Sequence, residues 1–158
     1  SWMLVEWILR GRPSLLGMIS GAVGGLVVIT PASGFVGPVA ALVMGLIGGV
    51  ACFWGAVFLK RMAGWDDSLD AFGVHGVGGI VGAILTGVFA TSAVTGTDMN
   101  PVMTQVGIQA ASVLATMVYA GLVSWILLKI VDRIMGLRVS SDDERMGLDL
   151  ALHGERIE

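Results

Sequence analysis

Long uncharged segments alternate with short charged ones along this chain. The first uncharged segment runs from Pro13 to Leu59, which is 47 residues without Asp, Glu, Lys or Arg. As one helix it would be about 70 Å long, more than twice the ~30 Å apolar core of a bilayer. The stretch from Thr30 to Pro38 contains two prolines and two glycines and divides this segment. The pattern predicts one membrane-spanning helix near Ser14–Ile29 and a second near Pro38–Leu59.

The remaining apolar stretches complete the pattern. Ala71–Thr97 and Met99–Leu128 are also uncharged, and the last helix is expected to continue to Met135. Trp2–Leu9 is apolar apart from Glu6 and resembles the end of an earlier helix. The sequence therefore predicts an all-α, polytopic membrane protein with four complete transmembrane helices plus the end of a fifth. Its first residues have neither an initiator Met nor the form of a signal peptide, so we expect it to be part of a longer protein.

The basic residues support this number of helices. With four crossings, the connecting segments alternate between the two sides of the membrane, and all nine Lys and Arg fall on one side. The other side receives Thr30–Pro38 and Thr91–Pro101, which contain none. The positive-inside rule then places the basic side and the C-terminus in the cytoplasm. The nine residues are Arg10, Arg12, Lys60, Arg61, Lys129, Arg133, Arg138, Arg145 and Arg156.

Composition argues against several classes of protein. The chain is 55% hydrophobic and 13% charged, whereas soluble domains average about 25% charged residues. Its formal net charge of −3 provides no basic surface for nucleic acid. The single cysteine, Cys52, excludes an internal disulfide, and only one of the two histidines lies in an apolar stretch. We expect no metal, no cofactor, no nucleic-acid partner and no enzymatic activity.

The segment Asp66–Gly82 contains the clearest candidate chemistry. Asp66 and Asp67 lie at the start of a helix, where carboxylates cap free amides and favour the positive end of the helix dipole. Asp70 lies one turn further in, and both capping and a role at a cation entrance remain open for it. His75 lies inside the apolar stretch and is either a functional residue or a core histidine with a hydrogen-bonding neighbour. Apolar surroundings favour the neutral imidazole, whose donor and acceptor must find partners on another helix.

Glycines recur around His75 and in the two preceding helices. Small residues at this spacing let helices pack closely in lipid, which explains most of these glycines. Such packing can also leave a narrow, rigid apolar passage beside a buried His75. The glycines are Gly17, Gly21, Gly24, Gly25, Gly45, Gly48, Gly49, Gly73, Gly76, Gly78, Gly79 and Gly82.

The segment DDSLDAFGVHGVGGIVGAILTGVFA, Asp66–Ala90, closely resembles the penultimate helix of the ammonium transporter (Amt/Mep/Rh) family. WMLVEWILRG followed by PSLLG, the ITPASGFV loop, and the tail pieces GLRV, GLD and HGE resemble its bacterial Amt branch. The resemblance implies an eleven-helix fold of two inverted five-helix repeats plus a final helix, assembled as a homotrimer. This chain would form the C-terminal portion, from the end of helix seven to helix eleven.

The resemblance also implies a function. Family members carry ammonium or ammonia through a narrow hydrophobic pore, with ammonium deprotonated on entry and two hydrogen-bonded histidines along the path. His75 matches the second histidine, so its partner and the outer aromatic recruitment site would lie outside this chain. Val23 and Ala71 match apolar pore-lining positions, with Ala71 smaller than the usual Val, and Phe72 and Asp70 complete the expected substrate path. The implied location is the inner (plasma) membrane of a bacterium, with a role in nitrogen utilization.

The sequence becomes polar after Val139. Ser140–Glu158 has six acids against two arginines, a net charge of −4, and is too polar to enter lipid. We expect residues 1–139 to form the transmembrane domain and residues 140–158 a cytoplasmic tail, with one short helix capped by a box from Ser141 to Glu144. The resemblance implies a regulatory tail that packs under the neighbouring protomer and works with a PII-type signalling protein. The tail residues that match are Arg138, Glu144, Gly147, Asp149 and His153, whereas Arg156–Glu158 departs from the usual ending.

Two other functions remain open. A non-conducting ammonium sensor of the same fold would act through its tail on a signalling partner. Such a sensor is expected to carry a signalling domain or a longer tail after Val139, and the 19 residues there favour transport. An unrelated proton-coupled transporter that uses His75 as a proton relay is the third alternative.

Overall fold

The computed structural model describes residues 1–155, and every regular element in that range is helical. This confirms the predicted all-α fold class. Residues 156–158, where the ending departs from the family pattern, lie outside the described residues. The helices are α1 (Trp2–Arg10), α2 (Leu15–Ile29), α3 (Pro38–Trp54), α4 (Lys60–Ala63), α5 (Val77–Phe89), α6 (Ser92–Thr95), α7 (Val102–Met135) and α8 (Ser141–Met146). A 3-10 turn covers Thr30–Ala32, and π-helical turns cover Gly55–Leu59, Phe72–Gly76 and Asp149–His153.

Four continuous helical stretches of the described residues are long and apolar enough to cross a membrane, as predicted. They are Leu15–Ala32, Pro38–Ala63, Phe72–Phe89 and Val102–Met135. The second is longer than the sequence predicts, because the helix continues past Leu59 through Lys60 and Arg61 to the left-handed Gly64. Basic side chains in a last turn and a left-handed glycine after it are both favourable at a helix C-terminus.

The chain divides into two compact units, residues 1–114 and 115–158. In the first unit, α1, α2, α3, α5 and the π-helical turns at Gly55–Leu59 and Phe72–Gly76 pack against one another. The expected separation of a transmembrane domain from a polar tail at Val139 stays a prediction. The buried core of the first unit consists of Trp2, Val28, Ala32, Met44, Cys52, Phe53, Ala56 and Val74.

Glycines bring the helices of the first unit close together. A Cβ on Gly48 would lie 2.5 Å from a Val28 methyl, and one on Gly78 would lie 3.0 Å from the Cys52 sulfur. A side chain at either position would therefore push two helices apart, which supports the predicted packing role. Three of the predicted packing glycines make no such close contact within this chain, because a Cβ added there would have nothing within 4 Å of it. These three are Gly25, Gly45 and Gly79.

In the second unit, the tail forms more helix than the sequence predicts. Helix α8 ends at Met146 with Gly147 as its C-cap, and a π-helical turn, Asp149–His153, follows it. The predicted capping residue, Ser141, was wrong by one position. The N-cap is Ser140, whose hydroxyl accepts a hydrogen bond from the Asp143 amide at 3.1 Å. Ser140 has the extended backbone that an N-cap requires, whereas Ser141 is already helical.

Candidate functional site

His75 lies in the π-helical turn Phe72–Gly76, which joins the preceding loop to α5. Its neighbours Gly73 and Val74 are buried, but His75 itself is exposed. The described residues leave His75 uncovered, and its burial in the membrane-embedded protein stays a prediction. Gly73 and Val74 face the packed core of the first unit, whereas the described residues do not cover the His75 side chain. π-helical turns within α-helices occur often at functional sites.

The other apolar residues of the expected path are exposed as well. Val23 on α2 is 37% exposed and Phe72 is 39% exposed. Ala71 is exposed as well. Helix α2 packs against the turn that contains His75, so these residues lie on two contacting elements. The Phe72 ring makes an edge-to-face contact with Trp65, with 4.9 Å between the ring centroids. The described residues therefore leave these side chains exposed on two contacting elements of the first unit.

Asp70 is paired with a base in this chain. Its carboxylate forms a short ion pair with the Lys60 ammonium, which also donates to the Asp67 carbonyl oxygen at 2.9 Å. Asp70 has φ 54, the left-handed region that a residue with a Cβ seldom adopts. Neither alternative that the sequence left open, capping or a cation entrance, includes this pairing.

The predicted capping role is confirmed for Asp67. Its carboxylate accepts hydrogen bonds from the Ala71 amide at 2.8 Å and the Phe72 amide at 2.9 Å. Asp66, for which the same role was expected, is exposed and makes no hydrogen bond through its carboxylate within residues 1–155. The start of the His75 helix therefore depends on one carboxylate, which satisfies two otherwise free backbone donors.

A buried carboxylate joins α1 to α2 near the basic ends of the helices. Glu6 is 3% exposed and accepts hydrogen bonds from the Ser14 amide at 3.2 Å, the Ser14 hydroxyl at 3.0 Å and Arg10 at 2.8 Å. A cavity of about 110 Å³ lies beside this cluster, and Asp70 also contributes to its lining. A buried carboxylate requires partners of this kind, because an unpaired buried charge costs several kcal/mol. We interpret Glu6 as the structural link between the two helices.

The tail residues singled out from the sequence form two local arrangements. Arg138 and Glu144 make an exposed ion pair with 2.6 Å between nitrogen and oxygen. Gly147, with φ 91, ends α8, while Asp149 and His153 are the first and last residues of the following π-helical turn. The structure thus brings Arg138 to Glu144 and places the other three along one short helical segment.

Sequence reasoning missed Lys60, Trp65 and the bonding role of Glu6. Lys60 was predicted only to lie on the basic side of the membrane. A lysine that precedes an aspartate by ten residues, with a glycine turn between them, can form an ion pair with it, as Lys60 does with Asp70. Glu6 was noted only as the single charge in an apolar stretch, which is itself a signal that its charge needs a partner. Within residues 1–155, no group of three or more His, Cys, Asp or Glu is arranged to hold a metal ion.

Comparison with known proteins gives a consistent family assignment. The Ammonium Transporter Family profile matches residues 1–157. An ammonium transporter of Bacillus subtilis is 45% identical over 98% of this chain, which spans 39% of that protein's length. Ammonium transporter Amt1 of Archaeoglobus fulgidus is 43% identical over the same share of the chain, again with 39% of its length matched.

Solved structures resemble the fold as well. The crystal structure of Saccharomyces cerevisiae Mep2 superposes with a TM-score of 0.79 at 37% identity, covering 89% of this chain and 34% of that one. The crystal structure of Candida albicans Mep2 gives a TM-score of 0.81 at 37% identity, covering 90% and 33%. This chain thus spans little more than a third of the proteins that it matches.

Proposed function

The chain belongs to the ammonium transporter family, and on that premise we propose that it forms part of a pore that carries ammonium or ammonia across a membrane. It is a multi-pass membrane segment by its four apolar helices and its family. The observation that supports a pore most directly is the exposure of Val23, Ala71, Phe72 and His75, whose neighbours Gly24, Gly73 and Val74 are buried. Segments outside this chain would cover these side chains and complete the wall.

The physical chemistry of the cargo favours a narrow apolar passage with an imidazole. Moving an ammonium ion through hydrocarbon is costly, whereas neutral ammonia gives up mainly its hydrogen bonds with water. A neutral imidazole offers one donor and one acceptor and can pass a proton without a fixed charge. We propose that ammonium is deprotonated on entry and that His75, with a histidine from outside this chain, lines the path.

The basic residues support a membrane orientation. All nine Lys and Arg lie on one side of the four crossings, which we propose to be the cytoplasmic side of the inner (plasma) membrane. The tail, residues 140–158, would then lie in the cytoplasm as a regulatory segment. Through the family resemblance, we propose a homotrimer whose tails work with a PII-type signalling protein, with nitrogen utilization as the biological role.

The pore role is tested by His75→Ala in the full-length transporter. We expect methylammonium uptake per transporter, or its discrimination against K⁺, to change sharply, because the imidazole that this chain contributes to its spanning segments is removed. Arg61→Met is the control, since Arg61 is an exposed base near the end of the second spanning stretch and has no part in the proposed path.

Both variants should be measured in vesicles with the amount of folded transporter determined by size-exclusion chromatography. Unchanged uptake and unchanged selectivity in His75→Ala would overturn the pore role. Ammonium binding by the wild type without any uptake would instead favour the non-conducting sensor.

A further inference from the structure

The loop before His75 is fixed by one lysine at two points. The Lys60 ammonium donates to the Asp67 carbonyl oxygen at 2.9 Å and pairs with the Asp70 carboxylate. The side chains of Lys60 and Asp70 are only 28% and 31% exposed, so the pair is partly withdrawn from solvent. An ion pair in such a position is screened less by salt than one at the surface.

Both acids held by Lys60 determine how the next helix begins. Asp67 presents its carboxylate to the amides of Ala71 and Phe72. Asp70 presents its carbonyl oxygen to the Val74 amide at 2.9 Å. The left-handed backbone of Asp70 is intrinsically unfavourable for a residue with a Cβ, so it persists only where surrounding contacts determine it. The Lys60–Asp70 pair is such a contact.

The two elements that flank this pair are also in contact. The π-helical turn Gly55–Leu59 leads directly into Lys60, and the π-helical turn Phe72–Gly76 follows Asp70 and contains His75. The two turns pack together where Gly73 meets Ala56, with space for no side chain between them. The turn that contains His75 is thus held at Gly73 by packing and at Asp70 by charge. Two separate attachments of this kind resist rotation of the turn about its axis.

We propose that Lys60 is a positioning residue for His75, holding Asp67 and Asp70 so that the π-helical turn presents the imidazole at a fixed angle. The inference rests on the proposed function for its effect on transport, while the effect on helix geometry is independent of it. Lys60 has no contact with the substrate in this proposal and acts only through the start of the helix.

The test compares Lys60→Met with Arg61→Met in the full-length transporter. Methionine keeps the apolar stem of the side chain and removes the ammonium, and Arg61 is the adjacent, exposed base. We expect Lys60→Met to lower the maximal rate of methylammonium uptake per folded transporter on the order of tenfold, with KM changed less, because a misplaced group impairs the transfer step more than capture. Lys60→Arg should restore most of the rate, and Arg61→Met should resemble the wild type.

A second measurement does not depend on transport. Amide hydrogen exchange over residues 70–76 should be faster in Lys60→Met than in Arg61→Met, because the helix start opens more often. Asp70→Gly should accelerate the same amides, since glycine tolerates the left-handed backbone but removes the charge.

These results separate the two proposals. Equal exchange in Lys60→Met and Arg61→Met, or wild-type exchange in Asp70→Gly, overturns the positioning role whether or not the protein transports ammonium. The positioning role is also overturned if Lys60→Met has altered amide exchange but a maximal rate of methylammonium uptake equal to that of the wild type. If the wild type itself shows no uptake, the proposed function fails, and the exchange comparison still decides whether Lys60 fixes the turn.

Discussion

Gly73 packs directly on the backbone of Ala56, so that a Cβ on Gly73 would lie 2.5 Å from the Ala56 nitrogen. This contact joins the π-helical turn that contains His75 to the π-helical turn Gly55–Leu59, and neither backbone can move aside without disturbing its helix. The geometry around His75 therefore depends on the absence of a side chain two residues before it.

Gly73→Ala should destabilise the protein, while Gly79→Ala should not. We expect overpacking at Gly73 to cost about 1–3 kcal/mol. At Gly79 a Cβ meets open space, so alanine should be neutral or stabilising by up to about 1 kcal/mol through helix propensity. Thermal unfolding of both variants in the same detergent measures the difference, and equal midpoints would contradict the close contact at Ala56.

Asp67→Ala should weaken the start of the helix that contains His75, and Asp66→Ala should leave it intact. Loss of a capping carboxylate costs about 0.5–2 kcal/mol, and Asp67 satisfies two amides. Hydrogen exchange at the amides of Ala71 and Phe72 is the direct measurement, with faster exchange expected only in Asp67→Ala. A similar acceleration in both variants would show that charge near the helix end, rather than the two hydrogen bonds, is responsible.

Glu6 and Gly17 should be energetically coupled. Glu6→Ala leaves the Ser14 donors and Arg10 without their acceptor, at a cost of about 1–3 kcal/mol. A Cβ on Gly17 would overlap the Glu6 carboxylate, so Gly17→Ala should be costly in the wild type and less costly once Glu6 is alanine.

A double-mutant cycle of thermal stabilities measures this coupling, expected at about 0.5–3 kcal/mol. Gly25→Ala on the same helix is the control, because a Cβ there has open space and its effect should not depend on Glu6. Additive effects of Glu6→Ala and Gly17→Ala would argue against the close approach of the two residues.

Much of the fold could be predicted from the sequence because lipid imposes simple requirements on a chain. A spanning helix must be long, apolar and uncharged, so the stretches Leu15–Ala32 and Phe72–Phe89 were recognisable from residue type alone. The second span was also recognisable, although it was predicted to end near Leu59 and continues to Ala63, before the left-handed Gly64.

The candidate site was predicted only in part. His75 and the cap at Asp67 follow from residue type and position on a helix, which are local properties. The pairing of Lys60 with Asp70 and the burial of Glu6 were missed, since each depends on which side chains meet across a turn or between two helices. The exposure of His75 was likewise not predictable from its apolar neighbours. It depends on which face of the helix packs through its glycines against other helices of the chain.

The sequence by itself determined the number of helices long and apolar enough to span a membrane and the family to which the chain belongs, and it predicted that the basic residues lie on one side. These follow from hydropathy, charge and motif, which need no knowledge of contacts. Only the tertiary structure decided that Lys60 holds Asp67 and Asp70, that two π-helical turns meet at Gly73 and Ala56, and that the described residues leave His75 exposed beside that contact. The physical reason is that packing direction and ion pairing are set by distances between elements, and residue order along one element does not specify them.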